Sequence, residues 1–95
     1  MANFGLKDEV IAFIRDAARI CGMDEVLLFG SRATGRYSEK SDIDLAVSGS
    51  RVHDFEGALE ERCPTLLEFD IIDLSKDIGE ELRCRIAEEG VVLYG

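Results

Sequence analysis

The stretch from Leu27 to Val47, LLFGSRATGRYSEKSDIDLAV, decides the fold. It opens with an apolar run that stops at Gly30-Ser31, continues through a polar segment, and closes in DIDLAV. An apolar run that ends at glycine is typical of a short buried strand, and alternating polar and apolar residues are typical of a second one. The stretch therefore predicts two strands joined by a polar loop, part of which could form one helical turn after the Gly-Ser pair.

The flanking sequence predicts helices and one further long strand. Apolar residues recur at helical spacing over residues 6–22, and Gly22 is well placed to end that helix. Asp54 is a candidate cap for a second helix, and Ser75 or Asp77 for the last one. The predicted strands cover about 25–29, 42–47 and 66–74, the second helix covers 54–62, and VVLYG is a candidate edge strand. This order predicts an α+β fold, an α/β sandwich with a small mixed sheet flanked by helices, as one domain over residues 1–95.

Composition limits the possible functions. The chain has 95 residues, of which 46% are apolar, and a net charge of −9 from 20 acidic and 11 basic residues. Because binding to a nucleic-acid backbone requires a basic surface, direct nucleic-acid binding is disfavoured. There is neither an apolar run of about 18 residues nor a basic region before an apolar stretch, so no membrane span and no signal peptide are expected. Three widely spaced cysteines suit buried thiols in a reducing cytoplasm better than a disulfide framework or a zinc site.

The acidic pair in Asp42-Ile43-Asp44 is the first candidate for chemistry. Side chains alternate along a strand, so Asp42 and Asp44 point to one face while Ile43 enters the core. Two carboxylates roughly 6.6 Å apart repel each other unless a cation lies between them, and such oxygen ligands suit Mg²⁺. The alternative is a solvent-facing strand whose polar side happens to be acidic.

The Gly-Ser pair is the second candidate. Glycine lets the backbone approach a phosphate closely, and free N–H groups at the start of a helical turn attract anions. Ser31 adds a hydroxyl, and Arg32 is a candidate phosphate contact. The alternative for Gly30-Ser31 is an ordinary turn between a strand and a helix.

Asp70, in the segment EFDIID, is the third candidate. An acid between large apolar residues in the middle of a strand is unusual, because strands disfavour aspartate. Strand alternation places Asp70 opposite to the buried face of Phe69 and Ile71, where it could face a metal. Asp73 points to the other face and is interpreted as a cap or surface residue. The alternative for Asp70 is an edge strand with one exposed acid.

Taken together, these features resemble the polymerase-beta-like nucleotidyltransferase superfamily. The shared pattern is Gly-Ser, ten residues, Asp-x-Asp, and a third aspartate in the centre of the next long strand. The sequence is most similar to the minimal members, the MNT proteins often encoded beside a HEPN-domain protein, and the ending IAEEGVVLYG is also of a type frequent there. The resemblance implies that Asp42, Asp44 and Asp70 are the catalytic, metal-binding carboxylates and that Gly30, Ser31 and Arg32 bind the nucleotide phosphates.

The resemblance also implies an activity. It is the Mg²⁺-dependent transfer of a nucleoside monophosphate, AMP from ATP, to an acceptor hydroxyl, with two Mg²⁺ ions at the site. The leading acceptor is a tyrosine of a HEPN-type partner, which would make the chain a cytoplasmic antitoxin in a toxin-antitoxin system. Larger relatives carry extra acceptor-binding domains and none is visible here, so the acceptor side is expected from a partner. A non-catalytic binding antitoxin, a catalytic subunit that modifies a small molecule, and a homo-oligomer all remain open.

Overall fold

The computed structural model describes residues 3–95, so the first two residues of the predicted single domain lie outside the described part. Residues 3–95 form helices and strands in the predicted order. The helices are α1 (Asp8–Ile20), α2 (Ser31–Thr34), α3 (Val52–Arg62) and α4 (Glu80–Glu89). The strands are β1 (Met23–Phe29), β2 (Ile43–Gly49), β3 (Phe69–Asp73) and β4 (Val91–Tyr94).

The strands form one mixed sheet in the order β3-β2-β1-β4. β1 is antiparallel to both β2 and β4, whereas β2 and β3 are parallel and are connected through α3. The parallel register pairs Ile43 with Phe69 and Asp44 with Asp70. The predicted edge strand at VVLYG is confirmed, as is the helical turn after Gly30-Ser31.

The two faces of the sheet have separate cores. The larger core lies under α1 and α3 and includes Ile43 and Leu45 of β2, both fully buried. The smaller core lies under α4, where Ile86 packs with Phe29 and Ala46. Because side chains alternate along β2, Asp44 shares the face of Ala46, and the structure leaves Asp44 half-buried there. Asp44 therefore lies on the face of the sheet that α4 covers.

Several strand and helix boundaries differ from the prediction. β1 begins at Met23 rather than at residue 25, and β2 runs from Ile43 to Gly49 rather than over 42–47. β3 begins at Phe69 rather than at Leu66, because the first residue of β2, Ile43, pairs with Phe69 and offers no partner further upstream. Leu66 is accordingly fully exposed. α1 begins at Asp8 and ends at Ile20, within the predicted 6–22.

The predicted helix caps are wrong. α3 begins at Val52, and Asp54 pairs with Arg51 at 2.9 Å instead of capping the helix. α4 begins only at Glu80, because the Asp77 carboxylate accepts a hydrogen bond from the Gly79 N–H at 3.2 Å and closes a turn ahead of it. Ser75 donates both its N–H and its hydroxyl to Asp73, at 2.9 and 2.7 Å, which confirms Asp73 as a capping residue.

The cysteine prediction holds in part. Cys21 is buried and Cys63 is half-buried, but Cys84 is exposed on α4, because it lies on the solvent side of that helix. All three are free thiols. None of the helices formed by residues 3–95 is long and apolar enough to cross a membrane.

Candidate active site

Three carboxylates lie at one end of the sheet, and Asp44 is on the face that carries α4. Asp44 of β2 lies directly beside Asp70 of β3 in the parallel register, and neighbouring strands are about 4.8 Å apart. Asp42 is exposed in the loop, one residue before β2 begins. The structure thus brings the three acidic residues predicted from the sequence to one place.

The charges at this place act on one another. Burial, then Asp70, then Asp42 raise the pKa of Asp44 above its usual value. Arg85 of α4 has the opposite effect on Asp44. A carboxylate that is partly withdrawn from water and faces two other carboxylates is destabilised in its charged form, and a cation bound there would relieve this repulsion.

Metal ligands are available here, although they do not form a closed cage. Within residues 3–95, no three His, Cys, Asp or Glu side chains lie close enough together to hold one metal ion. Mg²⁺ is usually bound by only one or two protein carboxylates and completes its octahedron with water and substrate phosphates. The Asp44–Asp70 pair with Asp42 beside it fits such an open site better than a site built from protein ligands alone.

Gly30 brings the backbone against these carboxylates. Its φ of 77° and ψ of −154° lie in a region that is essentially restricted to glycine. A Cβ at this position would overlap the Oδ2 of Asp44. The Gly30 carbonyl accepts hydrogen bonds from the N–H groups of Ala33 and Thr34, both at 3.1 Å, and so starts α2. The glycine therefore places the first residue of α2, Ser31, next to Asp44.

Arg32 requires a correction. The sequence indicates a phosphate contact, but the side chain is only 1% exposed. Its guanidinium donates to the backbone carbonyls of Ser41, Phe4, Ser38 and Glu39. With its N–H donors directed at carbonyl groups of its own chain, Arg32 faces the protein and not the space beside the carboxylates.

Two residues of α4 lie at the site although the sequence did not indicate them. Glu89 accepts a hydrogen bond from the Gly30 N–H at 3.2 Å, and Arg85 lies 3.7 Å from the same Glu89 oxygen. The i,i+4 spacing of Arg85 and Glu89 ahead of a helix-ending glycine was legible in the sequence. Nothing in the sequence, however, indicates that the end of α4 packs beside Gly30, because 59 positions separate Glu89 from Gly30.

A groove on the other face of the sheet is separate from this site. This groove, of about 630 Å³, runs between α1 and α3 and is lined by residues such as Phe13, Ile20 and His53. None of the three site carboxylates lines it. The identity of the candidate active site therefore rests on its carboxylates and the glycine turn.

Comparisons with known proteins identify the family of this chain. The family model described as "Polymerase beta, Nucleotidyltransferase" matches residues 17–95. A Methanocaldococcus jannaschii protein, provisionally named a protein adenylyltransferase, is 32% identical over 79 residues, which is 74% of this chain and 77% of that protein.

Two solved structures have the same fold. One is a toxin-antitoxin with AMP-PNP, with 22% identity and a TM-score of 0.68. The other is a double mutant of the toxin-antitoxin MntA-HpeT, with 20% identity and a TM-score of 0.64. Each alignment covers 90% of this chain and 73% of the solved chain.

All of the site elements, from β1 and α2 through β2 and β3 to α4, fall within residues 17–95, the range that the family model matches. The resemblance noted in the sequence is thereby confirmed. This chain belongs to the polymerase beta nucleotidyltransferase family and is a nucleotidyltransferase.

Proposed function

We propose that this chain is a Mg²⁺-dependent adenylyltransferase that transfers AMP from ATP to a protein hydroxyl. We propose further that the acceptor is a tyrosine of a HEPN-type toxin, which the modification neutralises. The observation that carries the proposal is the register of the sheet, which sets Asp44 beside Asp70 while the Gly30 backbone touches Asp44.

The chemistry is a single displacement. The acceptor oxygen attacks the α-phosphorus of ATP, the bond from that phosphorus to the β-phosphate oxygen breaks, and pyrophosphate leaves. Asp42, Asp44 and Asp70 would hold the divalent cations, two in the arrangement we propose, which would supply charge neutralisation for the attacking and leaving oxygens. Asp70, which is exposed, would accept the proton of the acceptor hydroxyl.

The phosphate groups of the nucleotide would bind at Gly30-Ser31. Glycine keeps this turn free of a side chain that would fill the space beside Asp44, and the Ser31 hydroxyl can donate to a phosphate oxygen. Because phosphoryl transfer leaves a protein little covalent work, these groups act by positioning and by charge.

Two observations support ATP and a protein acceptor. The Methanocaldococcus jannaschii relative carries the name of a protein adenylyltransferase, and one structural neighbour was crystallised as a toxin-antitoxin with AMP-PNP. In addition, the net charge of −9 suits a basic protein partner and opposes a polyanionic nucleic acid.

The test uses the purified chain, Mg²⁺ and the product of the neighbouring gene. Label from α-labelled ATP should appear on that product, whereas label from γ-labelled ATP should not. Replacing the acceptor tyrosine with phenylalanine should abolish the labelling. No transfer to an intact partner, under conditions in which ATP binds, would overturn the proposed acceptor.

A double variant distinguishes a catalytic antitoxin from one that only binds its partner. Asp42→Asn with Asp44→Asn should lose both AMP transfer and neutralisation of the toxin. Asp73→Asn is the control for the loss of an aspartate from the sheet, because it removes one negative charge from β3 at a carboxylate that caps the Ser75 turn. If the double variant still neutralises the toxin, the chain acts by masking its partner and the catalytic antitoxin proposal is wrong.

A further inference from the structure

Arg32 is a buried charged residue that has no role in the proposed chemistry. It directly follows Ser31, yet it is 1% exposed, and in residues 3–95 it is the one buried polar or charged side chain. Burying a cation is expensive unless its donors are satisfied, and here every nitrogen of the guanidinium has a carbonyl partner. A buried guanidinium with this many carbonyl partners fixes the backbone around it.

The main partner of the guanidinium is the carbonyl of Ser41. Nε donates to it at 3.1 Å and Nη2 at 2.9 Å, so that two N–H groups converge on one oxygen. Ser41 directly precedes Asp42, just as Arg32 directly follows Ser31. The side chain therefore joins the phosphate end of the site to its first carboxylate.

The segment that Arg32 holds has little else to fix it. Residues 36–40 are exposed and form no helix or strand. Within this loop, the Ser38 N–H donates to the Ser41 hydroxyl at 2.8 Å, and the Ser41 N–H donates to the Ser38 carbonyl at 3.2 Å. Weaker guanidinium contacts reach the carbonyls of Ser38 and Glu39, at 3.5 and 3.4 Å. The loop thus folds around the guanidinium.

The N-terminal segment and Tyr37 cover the guanidinium. Nη1 donates to the Phe4 carbonyl at 2.9 Å, and the Tyr37 ring centroid lies 5.2 Å from the guanidinium carbon. That separation is within the range of a cation–π interaction. Gly5 packs so closely on Tyr37 that a Cβ there would overlap the ring. These contacts keep water away from the hydrogen bonds to the loop.

We propose that Arg32 is a positioning residue for the transfer reaction, an assignment that rests on the proposed function. By bonding the Ser41 carbonyl, the guanidinium sets the separation of Ser31 and Asp42, and with it the placement of the Asp42 carboxylate relative to the nucleotide phosphates. Arg32 does not contact the nucleotide. A lysine cannot replace it, because one ammonium lacks the planar fork that bonds several carbonyls at once.

The test compares Arg32→Lys with Arg36→Lys, which makes the same exchange at an exposed position of the same loop. Arg32→Lys should lower kcat by roughly 10- to 100-fold, since small misplacements of reacting groups cost about that much. The KM for ATP should change by less than about threefold, because no nucleotide contact is removed. Arg36→Lys should leave both values unchanged.

Several outcomes would overturn the assignment. A raised KM for ATP with an unchanged kcat would show that Arg32 binds the nucleotide. A wild-type kcat in Arg32→Lys would show that the fork is not needed. If Arg32→Lys does not stay folded at the assay temperature, Tyr37→Leu can replace it, because this variant removes the covering ring and leaves the hydrogen bonds. Tyr37→Leu should also lower kcat without changing the KM for ATP, by a smaller factor. An unchanged kcat in Tyr37→Leu would also refute the role.

A second readout does not depend on transfer. Titration with Mn²⁺, followed by its electron paramagnetic resonance signal in the absence of nucleotide, reports on the carboxylates alone. Arg32→Lys should weaken Mn²⁺ binding about 10-fold, and Arg36→Lys should not, since residues that orient the metal ligands typically contribute about 10- to 100-fold to metal affinity. Equal Mn²⁺ affinity in wild type and Arg32→Lys would overturn the assignment, whereas failure of AMP transfer alone would overturn only the proposed reaction.

Discussion

Replacing Gly30 with alanine should damage both the fold and the site, for two separable reasons. The residue has a φ of 77° and a ψ of −154°, a conformation that costs a non-glycine residue about 1–3 kcal/mol. The new Cβ would also overlap the Asp44 carboxylate, so Asp44 must move. Together we expect a loss of about 3 kcal/mol in the free energy of unfolding, which lowers Tm by roughly 10–20 °C in a domain of this size.

Two other glycines supply matched controls. Gly35 also has a positive φ, 83°, but a Cβ there would meet nothing within 4 Å, so Gly35→Ala should cost only about 1 kcal/mol from backbone strain. Gly57 lies inside α3 with open space around it, so Gly57→Ala should stabilise the protein by up to about 1 kcal/mol. Thermal unfolding, followed by circular dichroism, would measure all three.

A double-mutant cycle isolates the overlap with the carboxylate. Asp44→Ala removes the Oδ2 and Cγ atoms that the new Cβ would meet and leaves the Cβ of residue 44 at 3.4 Å. Gly30→Ala should therefore cost less in the Asp44→Ala background than in the wild type, by about 1 kcal/mol or more. Equal costs in the two backgrounds, or a Gly30→Ala protein with the Tm of Gly35→Ala, would refute the close approach of Gly30 to Asp44.

Three further predictions concern charge, capping and thiols. Asp44→Asn should raise the Tm of the metal-free protein at neutral pH, because burial and then Asp70 raise the pKa of Asp44 and make its ionisation unfavourable in the fold. This gain should shrink as the pH falls through the raised pKa of Asp44 and disappear below 3.8, its usual pKa, where the wild-type carboxyl is protonated in both the folded and the unfolded state; a lower Tm in Asp44→Asn at neutral pH would contradict it. Glu89→Ala should lower stability by about 1 kcal/mol in urea unfolding and Glu89→Gln by less, since only the alanine loses the acceptor for the Gly30 N–H. Ellman's reagent at mildly alkaline pH should react first with exposed Cys84, because burial raises the pKa of the Cys63 thiol to about 11; a fast phase that survives Cys84→Ser would be the contrary result.

The sheet and its three carboxylates could be predicted from the sequence because they depend on local alternation. Strand parity alone places Asp42 and Asp44 on one face and selects Asp70 rather than Asp73. The structure agrees, since Asp70 pairs with Asp44 while Asp73 caps the turn at Ser75. The start of β3 was harder to predict, because a strand extends only as far as its neighbour offers hydrogen bonds.

The parts that could not be predicted depend on contacts between distant residues. A positive side chain after Gly30-Ser31 suggests an exposed phosphate ligand unless one knows that Phe4, 28 residues away, closes over it. In the same way, the hydrogen bond from Gly30 to Glu89 follows from the packing of α4 across the sheet and not from any local pattern. Periodicity gives the face of a residue, but it does not give the depth at which that residue lies.

The pairing of Asp44 with Asp70 also determines what a misassembled molecule would look like. β3 has only five residues and lies at the edge of the sheet, so a slip of one residue against β2 would set an apolar side chain beside Asp44. Such a slip would turn Asp70 towards the opposite face while keeping every helix and every strand. A slipped preparation would have a native circular dichroism spectrum and a weakened divalent-cation affinity. Specific activity, rather than helix or strand content, is therefore the measure of a correctly folded sample.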